Sequence, residues 1–132
     1  MVKAINIKTV NTPGKGGLSF FEAGKDIPFE IKRIYYIHDV PENTMRGAHA
    51  HKELKQLLFC PCGSVKMILD DGNEKTEMIL DSPDKGLILT PCIWRDFMFL
   101  EKNTVLCVAV SEYFDETDYI RSYDEFLKFI KK

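Results

Sequence analysis

The chain has 132 residues, of which 45% are hydrophobic and 29% charged, a balance typical of one folded domain that excludes a disordered or fibrous chain. Eighteen Lys and Arg residues against 20 Asp and Glu residues give a formal charge of −2, so the sequence lacks the basic field of nucleic-acid-binding proteins. No apolar run reaches the ~20 residues that span a bilayer, and the N-terminal residues alternate instead of forming the apolar core of a signal peptide. We therefore expect one domain over residues 1–132, in the cytoplasm, with no nucleic-acid or membrane partner.

Alternation of apolar and polar residues dominates the chain from residue 4 to about residue 110, which is typical of half-buried β-strands. Turn signals separate the alternating runs, and the clearest is the DDGN tetrapeptide at residues 70–73. Many short strands with no helix between them predict an all-β sandwich or barrel. The predicted strands cover residues 4–10, 31–37, 55–60, 64–70, 74–80, 86–90, 96–100 and 104–110.

The last segment changes to helical spacing. Residues 122–130, with the sequence SYDEFLKFI, place Ser122 as an N-cap and Glu125 three residues later. This pattern predicts a short C-terminal helix packed on the barrel.

The four cysteines belong to a chain without an export signal, so we interpret them as reduced thiols. Cys60 and Cys62 form a single C-x-C pair, whereas structural zinc usually requires four ligands. We therefore interpret this pair as small apolar residues near a strand end.

The densest polar segment, residues 46–52, contains His49 and His51. On a strand, residues two apart face the same side, so both imidazoles are expected on one face. Two interpretations remain open from the residues alone: two satisfied, half-buried histidines, or a pair of metal ligands.

The segment from Gly47 to Gly63, with its His-x-His, resembles a shortened form of the first cupin motif, G-x5-H-x-H-x3,4-E-x6-G. The resemblance implies a cupin jelly-roll barrel. However, Lys55 and Gln56 stand where metal-binding cupins carry the Glu, and Arg95 stands at the place of the third histidine. Because an arginine is always protonated, it would repel a divalent ion. We therefore predict that the site holds no metal.

Within the cupins, the chain resembles the sugar 3,4-ketoisomerases over nearly its whole length, from residue 6 to residue 130. That resemblance implies a cofactor-free isomerase that moves the ketone of dTDP-4-keto-6-deoxyglucose from C4 to C3, for a 3-amino-3,6-dideoxyhexose of a surface glycan. It also implies a homodimer, for which residues 5–10 are a candidate strand for pairing across subunits. The runs that carry the resemblance are IKRIYYIHDVPENTMRGAHAHKELKQLL, LDDGNEKTEMILDSPDKGL, IWRDF and SEYFDETDYIRSYDEFLKFI.

Such an isomerisation requires a base at the C3 proton, a group that moves protons between O3 and O4, and donors near the enediolate oxygens. We assign His51 as the base and His49 as the partner at the sugar oxygens, with the reverse order open. Imidazole pKa values near 6.5 suit this work. Tyr35 shares a strand face with Arg33 and is expected near the sugar as a further catalytic residue.

The remaining expected site residues bind the substrate. Arg33 is expected to hold the diphosphate, Arg46 to reach the phosphates or the enediolate, and Gln56 to bond the sugar. A guanidinium inside a barrel needs an anionic partner, which a bound diphosphate or oxyanion would supply to Arg95. We expect Trp94 to stack on the thymine or the sugar, and Lys15 in a glycine-rich loop to contact the substrate edge.

Product configuration and reaction class have alternatives. By resemblance, Arg95 favours the gluco product over the galacto product, and Lys15 is expected to be the other determinant of the configuration. A 3,5-epimerase on the same type of substrate and a non-enzymatic sugar-nucleotide-binding cupin are the alternative functions. We interpret the pair His38 and Asp39 as lying on opposite strand faces, and the acidic residues 115–119 as a solvated loop.

Overall fold

The structure is a computed structural model that describes residues 2–131. Within that range the chain forms twelve β-strands, one single-turn 3-10 helix (Glu116–Asp118) and one α-helix, α1 (Tyr123–Ile130). In chain order the strands are β1 (Val2–Asn6), β2 (Lys8–Thr12), β3 (Gly16–Phe20), β4 (Arg33–Ile37), β5 (Thr44–His51), β6 (Gln56–Cys62), β7 (Val65–Asp70), β8 (Lys75–Leu80), β9 (Lys85–Leu89), β10 (Trp94–Phe99), β11 (Val105–Val110) and β12 (Tyr119–Ile120).

Ten of these strands form two antiparallel five-stranded sheets, in the orders β1-β9-β6-β11-β4 and β12-β5-β10-β7-β8. From β4 onwards the chain changes sheet at every step except β7 to β8, which is the strand order of a jelly roll. Inward-facing residues of both sheets, such as Leu58, Val108, Met67 and Phe97, form one buried core. The all-β prediction is confirmed.

The alternation along β10 shows why the core lies where it does. Arg95, Phe97 and Phe99 are buried, and the residues between them are only partly covered. This strand begins at Trp94, two residues before the predicted start, because Trp94 pairs with Asp70 of β7.

The predicted first strand, residues 4–10, is wrong in one respect, since two strands replace it. Ile7 separates β1 from β2, and its buried N–H donates to the Asp84 carbonyl at 2.7 Å. β1 pairs with β9 of the same chain. Among the described strands, β2 pairs only with β3, in a separate hairpin. Alternation alone cannot reveal such a break, because both strands keep the same period.

The predicted C-terminal helix is confirmed. The Ser122 side chain caps α1 and accepts from the Glu125 N–H, and Phe126 is buried against Ala50 and Ile120 on the outer face of the second sheet. Within residues 2–131, this helix and the 3-10 turn are too short and too polar to cross a bilayer.

The segment after β11 differs from the predicted solvated loop. Residues 116–118 form the 3-10 turn, and β12 then pairs with the end of β5, with Tyr119 opposite His51. This pairing attaches the segment to the strand that carries both candidate histidines.

Candidate active site

A β-bulge in β5 sets the position of the first histidine. Gly47 (φ +104°) and Ala48 (φ +56°) both have left-handed backbones, and the register against β10 shifts there so that His49 lies opposite Arg95. A Cβ on Gly47 would lie 2.9 Å from the Arg95 carbonyl oxygen, so only glycine permits this close approach. Bulges commonly re-aim side chains beside active sites, and this one brings His49 and Arg95 together.

Arg95 places a guanidinium in the barrel interior with only 1% of the residue exposed. Its nitrogens donate to Gln56 Oε1 at 2.5 Å, to the Tyr35 hydroxyl at 3.3 Å and to His49 Nε2 at 2.7 Å. All three acceptors are neutral, and among residues 2–131 no carboxylate lies within ion-pair distance of Arg95. A buried positive charge without a counter-ion is costly, so the site favours an anionic ligand.

His49 is held in one tautomer by its two neighbours. Its Nδ1 lies 3.1 Å from the Gly47 carbonyl oxygen, which only accepts, so Nδ1 carries the proton and Nε2 accepts from Arg95. Burial first, and the positive charge of Arg95 second, lower the pKa of His49 to about 3. The expected pKa near 6.5 is therefore wrong for this environment, and His49 is a neutral imidazole at physiological pH.

His51 is more deeply enclosed than His49. Its Nδ1–H donates to Asp118 Oδ2 at 2.9 Å, while its Nε2 is buried and has no hydrogen-bond partner among the described residues. Burial, followed by the charges of Arg95, Arg33 and Arg121, lowers the pKa of His51 as well.

The two imidazoles contact each other edge to face, with ring centroids 5.0 Å apart and an interplanar angle of 88°. The ring of Tyr119 covers both, at 4.4 Å from His51 and 5.2 Å from His49. The expected shared face for the two histidines is thus present, in spite of the bulge.

A cavity of about 440 Å³ opens beside this cluster. Four arginines border it, although the whole chain has a net charge of −2, so positive charge is concentrated at one place. Arg33 lies over the ring of Tyr35 at 5.4 Å and over that of Phe114 at 5.7 Å. The residues that line the cavity include Arg33, Tyr35, Arg46, His49, Arg95 and Arg121.

A second recess of about 290 Å³ shares Arg33, Phe114 and Tyr119 with the first as lining residues. His51, Asp118 and Arg33 border it. The rings of Phe114 and Tyr119, whose centroids lie 5.9 Å apart, therefore form a wall shared by both recesses.

The structure thus brings Arg33, Tyr35, Arg46, His49, His51, Gln56 and Arg95 together around one cluster. Two expected substrate-binding residues lie elsewhere. The ring of Trp94 packs edge to face against Tyr123 at 5.4 Å and contacts Phe126 beneath α1, because Trp94 points to the opposite face from its neighbour Arg95. Lys15 lies exposed in the turn of the β2–β3 hairpin, where its N–H donates to the Thr12 carbonyl.

Sequence reasoning missed Asp118, Tyr119 and Arg121, all of which lie at the site. The residue separation explains this, because the bond between His51 and Asp118 spans 67 residues. Sequence reasoning was also wrong about His38 and Asp39, whose side chains contact each other at 2.5 Å because Asp39 has a left-handed backbone (φ +59°). Both side chains of that pair are exposed, whereas His51 and Arg95 are buried.

The donor set does not fit a divalent metal. His49 Nε2, the nitrogen that would ligate an ion, accepts two hydrogen bonds from a guanidinium, which would repel a cation. Among residues 2–131, no three His, Cys, Asp or Glu side chains lie close enough to hold a metal ion.

Comparison with known proteins shows the family of this chain. Residues 1–131 match the family described as FdtA, WxcM-like, C-terminal. A TDP-4-oxo-6-deoxy-α-D-glucose-3,4-oxoisomerase from Aneurinibacillus thermoaerophilus is 48% identical over 130 residues, 98% of this chain and 93% of that protein.

Crystal structures of two enzymes extend the comparison. QdtA, a sugar 3,4-ketoisomerase from Thermoanaerobacterium thermosaccharolyticum solved with TDP, is 42% identical with a TM-score of 0.94, covering 98% of this chain and 94% of that one. A variant of that enzyme, with a histidine replaced by asparagine, holds TDP-4-keto-6-deoxyglucose. WlaRB, a TDP-quinovose 3,4-ketoisomerase from Campylobacter jejuni, is 41% identical with a TM-score of 0.90, covering 96% and 97% of the two chains. The chain therefore belongs to the FdtA-like family of sugar 3,4-ketoisomerases.

Proposed function

We propose that the protein converts TDP-4-keto-6-deoxyglucose to a TDP-3-keto-6-deoxyhexose. The observation that carries this proposal is the buried guanidinium of Arg95, which contacts only neutral acceptors and adjoins two neutral imidazoles. Such a site stabilises negative charge that develops on a bound molecule. The names of the relatives support the same reaction and the same substrate.

The reaction passes through an anion that this site is built to hold. Removal of the C3 proton leaves an electron pair that delocalises onto O4, giving an enediolate. Loss of the O3 proton then forms the C3 ketone, while C4 and O4 each gain a proton. The bonds balance within one molecule, so the conversion needs no external oxidant or reductant, and we propose that it runs without a cofactor.

We assign His49 as the base, reversing the order favoured from the sequence. His49 borders the large cavity beside Tyr35, whereas His51 Nε2 is enclosed by protein. His49 Nε2 also carries its lone pair at neutral pH, so no proton has to leave before it accepts one. When a substrate oxygen takes the hydrogen bonds of Arg95, that lone pair becomes free.

Tyr35 and Gln56 extend the same network to the sugar. Both side chains accept from Arg95, so the hydroxyl hydrogen of Tyr35 remains for donation to a sugar oxygen. We propose that Tyr35 exchanges protons at O3 and O4, and that Arg95 stabilises the enediolate oxygens.

The diphosphate is proposed to bind at the mouth of the cavity. Arg33 and Arg46 border that cavity, and guanidinium groups bind phosphate oxygens in pairs. Phe114 is exposed beside Arg33 and, in place of Trp94, offers an aromatic face for the thymine.

We propose a gluco product, since Arg95 follows the tryptophan. In a gluco sugar the C3 and C4 hydrogens lie on opposite faces of the ring, whereas in a galacto sugar they lie on the same face. A gluco product therefore requires that the C4 proton arrives from the face opposite His49. Deuterium placed at C3 should then be absent from C4 of the product.

We propose that the protein acts as a homodimer in the cytoplasm. Val10 (55% exposed) and Leu18 (62%) leave an apolar surface on the β2–β3 hairpin, which pairs with no other strand within residues 2–131. Edge strand β4 exposes Tyr36 on its outer face as well. Packing between copies would cover these surfaces and bring Lys15 to a partner's substrate. Light scattering after size-exclusion chromatography measures the oligomeric state. A monomer that isomerises the sugar would contradict the proposed homodimer.

A proton NMR time course in D2O, with chelator-treated protein and TDP-4-keto-6-deoxyglucose, tests the proposed function. We expect a 3-keto product that carries deuterium at C4. The coupling between H4 and H5, measured on product formed in a parallel reaction in H2O, reports its configuration. Exchange at C3 and C5 with the ketone still at C4 would indicate a 3,5-epimerase instead. Binding of the sugar nucleotide with no exchange at all would indicate a binding module.

A further inference from the structure

Both carboxylate oxygens of Asp118 accept hydrogen bonds from residues at or just after the end of β5. Oδ2 accepts from His51 Nδ1 at 2.9 Å, and Oδ1 accepts from the Glu53 N–H at 2.8 Å. The Asp118 carbonyl also accepts from the Lys52 N–H at 3.0 Å. Three bonds therefore join the 3-10 turn to residues 51–53, which are His51 and the two residues after it.

The bond to Asp118 decides which nitrogen of His51 carries the proton. A carboxylate only accepts, so the proton lies on Nδ1 and the lone pair lies on Nε2. That lone pair is buried without a partner among the described residues. An unsatisfied buried acceptor is costly, which indicates that the protein maintains this tautomer for a purpose other than stability.

The orientation of His51 in turn limits the orientation of His49. The two rings pack at right angles with centroids 5.0 Å apart, and the ring of Tyr119 contacts both. Side chains packed this closely cannot rotate independently. A change at His51 is therefore transmitted to the imidazole that borders the substrate cavity.

We propose that Asp118 is a positioning residue for the isomerisation, because it fixes the tautomer and the ring orientation of His51 and thereby holds His49 in place. This inference rests on the proposed function. Asp118 need not contact the substrate, since it acts through the two imidazoles.

The chemistry of an amide shows why asparagine cannot replace this residue. Two N–H donors, from His51 and from Glu53, each use one carboxylate oxygen of Asp118, whereas an asparagine side chain has a single oxygen acceptor. If the asparagine NH2 faces His51, Nδ1 must accept and the proton moves to Nε2. The same exchange beside a catalytic histidine in serine proteases traps the wrong tautomer.

The test compares Asp118→Asn and Asp118→Glu with the matched control Asp115→Asn. Asp115 caps the same 3-10 turn and accepts from Thr117, and asparagine is an equally good cap. Long-range 15N–1H NMR of the free proteins reports the His51 tautomer, and steady-state kinetics report kcat and KM separately.

We expect Asp118→Asn to change the His51 tautomer and to lower kcat by about 10- to 100-fold, as seen for carboxylates that orient other functional histidines. KM is expected to stay within about twofold, because Asp118 does not hold the diphosphate. Asp118→Glu keeps two acceptor oxygens and should recover part of kcat, and Asp115→Asn should match the wild type.

Two results would overturn the inference: a wild-type tautomer and kcat in Asp118→Asn, or an equal loss in Asp115→Asn, which would indicate a general effect on the turn. A wild-type protein that does not isomerise the sugar would instead overturn the proposed function. The NMR comparison needs no substrate, so it would still decide whether Asp118 sets the tautomer of His51.

Discussion

Arg95 donates two hydrogen bonds to a single atom, His49 Nε2, with its Nη2 at 2.7 Å and its Nε at 3.1 Å from that nitrogen. The lone pair assigned to accept the C3 proton is thus held by the cation assigned to stabilise the resulting anion. When a substrate oxygen accepts these hydrogen bonds from Arg95 in place of His49, the lone pair of His49 becomes free in the same step. In the free protein, the proposed base and the proposed oxyanion donor are therefore hydrogen-bonded to each other, and they stay so until a substrate oxygen accepts from the guanidinium.

Replacement of Arg95 by methionine should separate activity from stability. Loss of this donor is expected to lower kcat by about 100- to 1000-fold, as for other oxyanion donors. The melting temperature should stay the same or rise, because the variant no longer buries an uncompensated charge. NMR turnover and calorimetry measure the two effects. A strongly lowered melting temperature would show that Arg95 is chiefly structural.

Asparagine variants of the two histidines should distinguish the base from its neighbour. His49→Asn is expected to lower exchange of the C3 proton with D2O by about 100- to 10,000-fold, which is the range for loss of a general base. His51→Asn should leave measurable exchange at C3, because its Nε2 is enclosed. The reverse result would restore the assignment of His51 as the base.

Stability is expected to fall as the pH is lowered from 6.5 toward 3. The pKa values of His49 and His51 lie at about 3 in the folded protein, below the ordinary value of 6.5, so the unfolded chain binds protons in this range and the folded protein does not. Proton binding to the unfolded chain then favours unfolding, by at most about 2 kcal/mol for each imidazole between pH 7 and 5. Urea denaturation at both pH values measures this difference. The difference should shrink in His51→Asn, and an unchanged difference would contradict the assigned cause.

A methyl group at Gly47 should disturb the bulge that aligns the site. Gly47→Ala forces a side chain onto a backbone with φ +104° and places Cβ 2.9 Å from the Arg95 carbonyl oxygen, so we expect a loss of about 1–3 kcal/mol and reduced turnover. Gly14→Ala is the matched control, because Gly14 has φ +73° with open space around its Cβ position. Equal losses in the two variants would show that backbone strain alone, rather than contact with β10, is responsible.

Much of the fold was predictable because burial on one face of a strand leaves a period of two in the sequence. The strands that carry this period, such as β7 with alternating burial of Val65, Met67 and Leu69, lie where the alternation predicted them. Membership in the sugar 3,4-ketoisomerase family was also predictable, because the His-x-His segment and the three other runs occur in order.

Contacts between distant residues were not predictable in this way. Trp94 and Arg95 are neighbours in sequence, yet Trp94 packs beneath α1 and Arg95 enters the barrel interior. No local pattern shows which of the two side chains faces the interior. The acidic residues before α1 were predicted to form a solvated loop. A contact between residues 67 positions apart, such as Asp118 and His51, leaves no periodic signal in the sequence.

Residue types and their local spacing were therefore sufficient to predict an all-β barrel with two imidazoles on one face, and the family resemblance added the jelly roll and the place of Arg95. The protonation of those imidazoles depends on burial and on the charge of Arg95, which are properties of packed neighbours and not of a residue type. The tautomer of His51 and the opening of His49 to the cavity depend on the bulge at Gly47 and on the return of β12 to β5. Only folding brings those groups within hydrogen-bond distance, and so only the tertiary structure decides which nitrogen is able to accept a proton.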